Sequence, residues 1–189
     1  LIDPFNGIED LKKGVLRTPL DPDKTYSDDP LRMIRAVRFS SQLNFKIEAK
    51  SFISIKKNYE RLKIVSNERI IDEFNKILLS NKPSIGLNLL FETKLLKIFF
   101  PELVKLQGKE TINKHTHKDN FYHTLQVVDN ISIKTQNIWL RWAALLHDIA
   151  KPQTKRYDEK IGWSFHGHEY LGSKMIPAIF RRLKLPLNG

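Results

Sequence analysis

Asp29 and Arg32 stand three residues apart, on either side of a proline-marked helix start. Their types suit recognition of a planar ligand: a carboxylate accepts from an exocyclic amine, and a guanidinium donates in a fixed fork. Arg35 and Arg38 continue the spacing. The three arginines then form a slanting cationic ridge beside an apolar stripe of Leu31, Met33, Ile34 and Val37. A plainer reading uses the same residues. Asp29 is then the N-cap, Asp28 favours the helix dipole, Pro30 sits where its missing N–H costs nothing, and the arginines are a solvated face. The two are compatible, because one carboxylate oxygen can cap while the other faces a ligand.

A second concentration of chemistry lies further along. All six histidines fall between His115 and His168, and histidine is both the commonest metal ligand and the usual proton carrier near neutral pH. His147 and Asp148 close an apolar run of Trp139, Leu140, Trp142, Ala143, Ala144, Leu145 and Leu146. That pattern predicts a helix over 139–150, buried on nearly all sides. Ionisable groups beside such a helix need a partner, which is either a His–Asp hydrogen bond or a divalent cation. The dipeptide alone leaves both open. His115 and His117 read as parts of a solvated loop, His166 as surface or a neighbour of the site, and Asp158 as part of a polar turn over 155–160.

The elements that position these groups read as helical. The Asp29–Pro30 start opens a helix that ends before Asn44. Further helices are expected over 47–57, after Ser66 as a cap, from Pro83 to about 93, over 95–100 and from 119 to 129. Ile70, Ile71, Phe74, Ile77 and Leu78 make one apolar face, and Arg69 is set to pair with Glu73 along the other. Residues 1–27 look turn-rich, with Asn6-Gly7 as a turn and a possible short strand over 15–18 whose partners would lie before Leu1. A polar linker spans 101–118. The class is therefore all-α. With 189 residues the chain suits one large domain or two small ones. A formal net charge of +11 favours a phosphate-rich partner. Without Cys there is no disulfide partner and no thiolate metal site. No apolar run is long enough for a membrane span. The absent initiator Met suggests a piece of a longer protein.

The run Asp28-Asp29-Pro30-Leu31-Arg32-Met33-Ile34-Arg35-Ala36-Val37-Arg38-Phe39 resembles the neck motif of class II tRNA nucleotidyltransferases, the bacterial CCA-adding enzymes and their poly(A) polymerase relatives. The family pattern is Glu-Asp-x-x-Arg continued by Met/Leu-x-Arg-Ala-x-Arg-Phe, with Asp28 here in place of Glu. The resemblance implies that Asp29 and Arg32 pair with incoming CTP or ATP as a protein template, with Arg35 beside them. It implies roles for Arg38 and Arg69 toward the RNA or the nucleotide-binding helix. Asp3, Gly7, Asp10 and Leu11 match the segment that ends the family's catalytic head, which implies a hinge at Asp3, Gly7 and Asp10. Next, His123, the run Leu-Leu-His147-Asp148-Ile-Ala-Lys151-Pro152 and the stretch Phe165-His166-Gly167-His168-Glu169-Tyr170-Leu171-Gly172 look like an HD domain. In that superfamily such residues ligate a divalent metal for phosphoester hydrolysis, with its bound water as nucleophile and Lys151 on the phosphate. His123, His147 and Asp148 match the ligands, and His168 stands where many members carry a further His. The late Asp would lie beyond Gly189.

The implied organisation is a head remnant over 1–27, a neck over 28–105 and a truncated HD domain over 106–189. The implied function is CCA addition to tRNA from CTP and ATP, in the cytoplasm, with Mg²⁺ held by carboxylates of a head that this sequence lacks. On that reading the chain by itself transfers no nucleotide. An HD phosphohydrolase, a poly(A)- or A-adding polymerase and a non-enzymatic RNA-binding module are the alternatives.

Overall fold

A computed structural model describes residues 2–113 and 115–187. The chain opens with two short helices where the sequence suggested only turns, α1 (Gly7–Lys13) and α2 (Pro22–Asp28). An aspartate holds the first turn of each. Asp3 accepts from the free N–H groups of Gly7 and Ile8 at 2.7 and 2.9 Å. Asp21 caps α2 by accepting from Lys24 N–H at 2.9 Å, with Pro22 in the first turn. Between them, β1 (Val15–Leu16) does not wait for an upstream partner. It pairs in parallel with β2 (Lys46–Ile47), which sits after α3 (Leu31–Leu43).

The α3 stripe is buried as expected, with Met33, Ile34 and Val37 fully covered, and Asn44 ends the helix in the left-handed conformation. Then come α4 (Ala49–Asn58), a 3₁₀ segment (Tyr59–Ile64) and α5 (Asn67–Leu78). The α5 face of Ile70, Ile71, Phe74, Ile77 and Leu78 is all buried. Ser66 occupies the N-cap position but its side chain makes no capping bond. α6 (Pro83–Glu92) lies across α3 and α5 with Gly86 at the crossing, where a Cβ would collide with Ile77. α7 (Leu95–Phe99) and α8 (Pro101–Val104) close this bundle.

The second half is built on α9 (Asn120–Ser132), α10 (Ile138–Leu146), α11 (Lys151–Thr154) and α12 (His168–Leu183). Two small antiparallel hairpins stand where the sequence suggested linker and turn. One pairs β3 (Thr111–Ile112) with β4 (His115–Thr116), the other β5 (Arg156–Asp158) with β6 (Gly162–Ser164). Asp158 closes the second by accepting from the N–H groups of Lys160 and Ile161 at 2.8 and 3.1 Å.

α10 is shorter than expected and is not buried all round. Leu140 is exposed, and beside the covered Trp142 and Leu145 stands a fully covered charge, Arg141. Its guanidinium donates to the carbonyls of Leu78, Ser80, Ser132 and Thr135. Leu78 and Ser132 end α5 and α9, where the last carbonyls of a helix lack an internal partner, and Ser80 and Thr135 follow just past those ends. One cation thereby ties the first half to the second. A single buried core also crosses the boundary expected at 105–106. Phe74 packs edge-on against Phe99 at 5.4 Å and tilts onto Trp142 at 5.4 Å, and Phe100 meets Trp142 at 6.0 Å. Among the described residues no helix is long and apolar enough to cross a membrane.

Candidate functional site

Asp29 does not cap α3. It ends α2 instead, with extended backbone angles, and the N-cap position of α3 falls to Pro30 with no side-chain bond. The main-chain carbonyl of Asp29 accepts from Arg32 N–H at 3.1 Å, so the local turn closes without the carboxylate. That carboxylate is left half-buried, its Oδ2 3.4 Å from Arg32 Nε. The acid–arginine edge is thus assembled and free of other local duty.

Arg32 and Arg35 both face a cleft of about 370 Å³, with Tyr26, Ala36 and Phe39 as apolar wall and Arg17 from the segment after β1. Burial pushes the Tyr26 hydroxyl up to about 12, so it stays neutral. The ridge breaks at Arg38. Arg38 turns inward, its guanidinium 4.1 Å above the Phe39 ring and its Nε 3.1 Å from the buried Glu73. Glu73 also takes Lys76 at 3.0 Å. The ladder expected between Arg69 and Glu73 is therefore replaced by a tie from α3 to α5. Arg69 is exposed and makes no ion pair among the described residues. The three residues expected at a hinge each make local contacts: Asp3 accepts from the first turn of α1, Gly7 begins that helix, and Asp10 pairs with Arg17.

The second cluster forms where α10 ends. His147 and Asp148 occupy the turn between α10 and α11, His123 projects from α9, and His168 begins α12. The ligand atoms of His123, His147 and Asp148 lie within 4.8 Å of one another. His147 Nε2 is 3.1 Å and His123 Nε2 3.9 Å from Asp148 Oδ2. His168 stands apart from that trio, on the other carboxylate oxygen at 3.5 Å. The rings of His147 and His168 are each set by a main-chain carbonyl, Nδ1 to Ala144 O and Nδ1 to Phe165 O, both at 2.8 Å. Those bonds place the proton on Nδ1 and turn the Nε2 lone pairs to the cluster, as metal-binding imidazoles require.

Lys151 Nζ lies 2.7 Å from Asp148 Oδ2. Even so, this buried oxygen has no well-aligned hydrogen bond. Burial alone would push Asp148 up, but His147 and Lys151 outweigh it and hold the carboxyl at about 2. The carboxylate in turn raises His147, whereas burial lowers His123. An ionised buried acid, a neutral imidazole and an oxygen without an aligned donor fit a divalent cation with mixed N and O ligands.

Sequence reasoning misplaced some of the surroundings. His117 is no solvated-loop residue: it is buried, its Nδ1 2.8 Å from Lys118 O and its Nε2 accepting from Glu110 N–H at 3.3 Å. Its ring meets Trp163 and Phe165 edge-on. The side chain of His115 lies outside the described residues. His166 is exposed. A polar cleft of about 450 Å³ beside the cluster takes Lys118, Asn120, Lys151 and Trp163 as lining. Lys118, Asn120 and Trp163 carried no motif signal, and neither did Arg17.

Helical bundle and His–Asp body together define an all-α protein of neck-plus-HD architecture. Two family models agree with that division: one described as "Probable RNA and SrmB- binding site of polymerase A" matches residues 44–106, and the HD domain matches 120–187. An A-adding tRNA nucleotidyltransferase of Deinococcus radiodurans is 35% identical over 98% of this chain and 44% of its own length. A multifunctional CCA protein of Pseudomonas fluorescens is 31% identical over 98% and 46%. Among solved structures, a Thermotoga maritima CCA-adding enzyme complexed with tRNA superposes with a TM-score of 0.61, at 20% identity, over 99% of this chain and 39% of that one. A CCA-adding enzyme in complex with ATP gives 0.58 at 22%, over 99% and 38%. The chain thus joins an RNA-binding module of the polymerase A type to an HD domain and is similar along nearly its whole length to tRNA nucleotidyltransferases, and it spans under half the length of the curated relatives it matches.

Proposed function

We propose that this chain is the nucleotide-reading and RNA-holding part of a tRNA nucleotidyltransferase that adds CMP and AMP from CTP and ATP to the tRNA 3′ end. The observation that carries the reading is the Asp29–Arg32 edge, spared from capping and set beside a cleft that Arg32 and Arg35 line. The acceptor oxygens of Asp29 and the donor fork of Arg32 match the complementary edge of a cytosine or adenine. Support also comes from the relatives, whose names include CCA addition and A addition, and from the net charge of +11, which suits a phosphate backbone. Arg38 and Arg69 divide the remaining work: Arg38 holds α3 against α5 through Glu73, and exposed Arg69 meets RNA. The family's Mg²⁺-holding carboxylate motifs have no counterpart in this sequence, so transfer belongs to the complete protein.

The test is incorporation from CTP and ATP into tRNA lacking its 3′ CCA. The complete protein is expected to add two C residues and then one A, and Asp29→Ala to blur the choice of base. The 189-residue chain alone is expected to add nothing. Incorporation of A alone by the complete protein would assign it to the A-adding or poly(A) branch instead.

A second reading, metal-dependent phosphoester hydrolysis, is favoured by the cluster of His123, His147 and Asp148. A bound divalent cation would supply an activated water and polarise the phosphate. Asp148 contributes the anionic ligand, the carbonyls of Ala144 and Phe165 hold the imidazoles of His147 and His168 in register, and Lys151 neutralises a phosphate oxygen. Metal analysis together with turnover of a generic phosphoester checks it. His147→Ala is expected to lose both, and metal retained with full turnover in that variant would rule the site out.

A further inference from the structure

The cleft that Arg32 and Arg35 line has a third arginine that no motif marks. Arg17 lines it from the segment after β1, facing the same space as Arg32 and Arg35 of α3. Its guanidinium is fixed. Nη2 donates to Asp10 Oδ1 at 2.8 Å, and Nε lies 2.6 Å from Asp10 Oδ2, a two-point fork. Asp10 is sealed at 12% side-chain exposure while Arg17 stays open at 48%. One edge of the guanidinium is therefore spent on a buried carboxylate, and the Nη1 edge remains available to an outside acceptor.

We infer that Arg17 contacts the phosphates of the nucleoside triphosphate in this cleft, and that Asp10 is the residue that positions it. The inference rests on the nucleotide-cleft reading above. It assigns Asp10 work beyond that of a hinge. The argument is one of complementarity. Tyr26, Ala36 and Phe39 give the cleft an apolar wall for a planar base, and Asp29 with Arg32 supplies the base-edge pair. A bound triphosphate then needs cations away from that edge. Arg35 makes no ion pair among the described residues, and Arg17 approaches from the other segment of chain. A guanidinium already locked in orientation loses little freedom on taking a phosphate oxygen, and such charge-assisted bonds are strong. About 370 Å³ suits a mononucleotide, whereas an RNA backbone is tracked by an open groove.

The 189-residue chain is titrated by calorimetry with magnesium-free ATP, with adenosine, and with a short RNA oligonucleotide ending in CC. Arg17→Ala is expected to weaken ATP about tenfold and leave adenosine unchanged. Arg17→Lys, which keeps charge and fold but not the fork, falls between. Asp10→Asn is expected to weaken ATP several-fold in the parent chain and to add nothing in the Arg17→Ala background, a non-additivity that a merely structural role would not produce. Arg32→Ala weakens both ATP and adenosine. ATP affinity unmoved in Arg17→Ala while Arg32→Ala still weakens it would overturn the inference and leave the cleft reading standing. Absence of ATP binding by the parent chain would overturn both. Weakening of the oligonucleotide but not ATP would overturn the triphosphate as the ligand of Arg17. Asp10→Asn without effect on ATP would overturn the positioning role.

Discussion

Asp148 is almost wholly covered yet stays ionised, because the ionic partners crowding one oxygen outweigh its desolvation. The consequence is a pH dependence whose sign can be worked out. Its folded pKa of about 2 lies below the ordinary 3.8. The stability it contributes, on the order of 2 kcal/mol, is therefore fully present above the ordinary value and lost as pH falls toward the folded one. His147 runs the other way. Asp148 raises it above 6.5, so its contribution is present below that value and disappears as pH rises through the raised one. Urea midpoints measured from about pH 2 to about pH 8 test both. Asp148→Asn is expected to flatten the acid limb and also to remove the decline on the alkaline side, since His147 loses the anion that raised it. An unchanged acid limb in that variant would mean that other carboxylates set the acid stability.

Asp21-Pro22 and Asp29-Pro30 look alike in sequence, and as helix starts they are not alike. Asp21 caps α2 with its side chain, whereas Asp29 ends that same helix and leaves the next to begin on Pro30. Asp21→Ala should therefore cost about 1 kcal/mol and Asp29→Ala less than about 0.5 kcal/mol, read from denaturant unfolding of the two variants. Equal losses would return Asp29 to a capping role. The pair shows why element boundaries were only partly legible. Helix α5 declares itself through five apolar residues on one face, each of them buried. Helix α1 has no such stripe: Ile8 and Leu11 are exposed, and what holds it is Asp3 reaching in from outside. β1 was visible as a strand, but its partner β2 lies thirty residues on, where a two-residue pairing leaves no periodicity to read. At the candidate sites, acid–arginine and His–Asp spacings stand out because neighbours in sequence remain neighbours in space. Arg17 and His117 do not stand out, because what gives them meaning are Asp10 and Trp163, brought in by the fold.

At the scale of the whole molecule, one core runs through both halves on either side of 105–106. Phe74 on α5 sits among Phe99, Phe100 and Trp142, and Arg141 of α10 holds the carbonyls that end α5. Two halves that share both an aromatic cluster and a buried cation cannot separate without exposing large apolar rings and stranding a charge. They should therefore unfold as one unit, although two family models divide them. The three tryptophans allow the test, since Trp139, Trp142 and Trp163 all lie in the second half. Tryptophan fluorescence then reports that half, and far-UV circular dichroism reports every helix. The two transitions are expected to coincide. Phe74→Ala, a change in the first half, should destabilise by about 3–5 kcal/mol and lower both midpoints together. Fluorescence that ignores Phe74→Ala while the dichroism shifts would show that each half stands on its own. The arginine-lined cleft and the His–Asp cluster would then be two sites that merely share a chain, instead of two ends of one rigid frame.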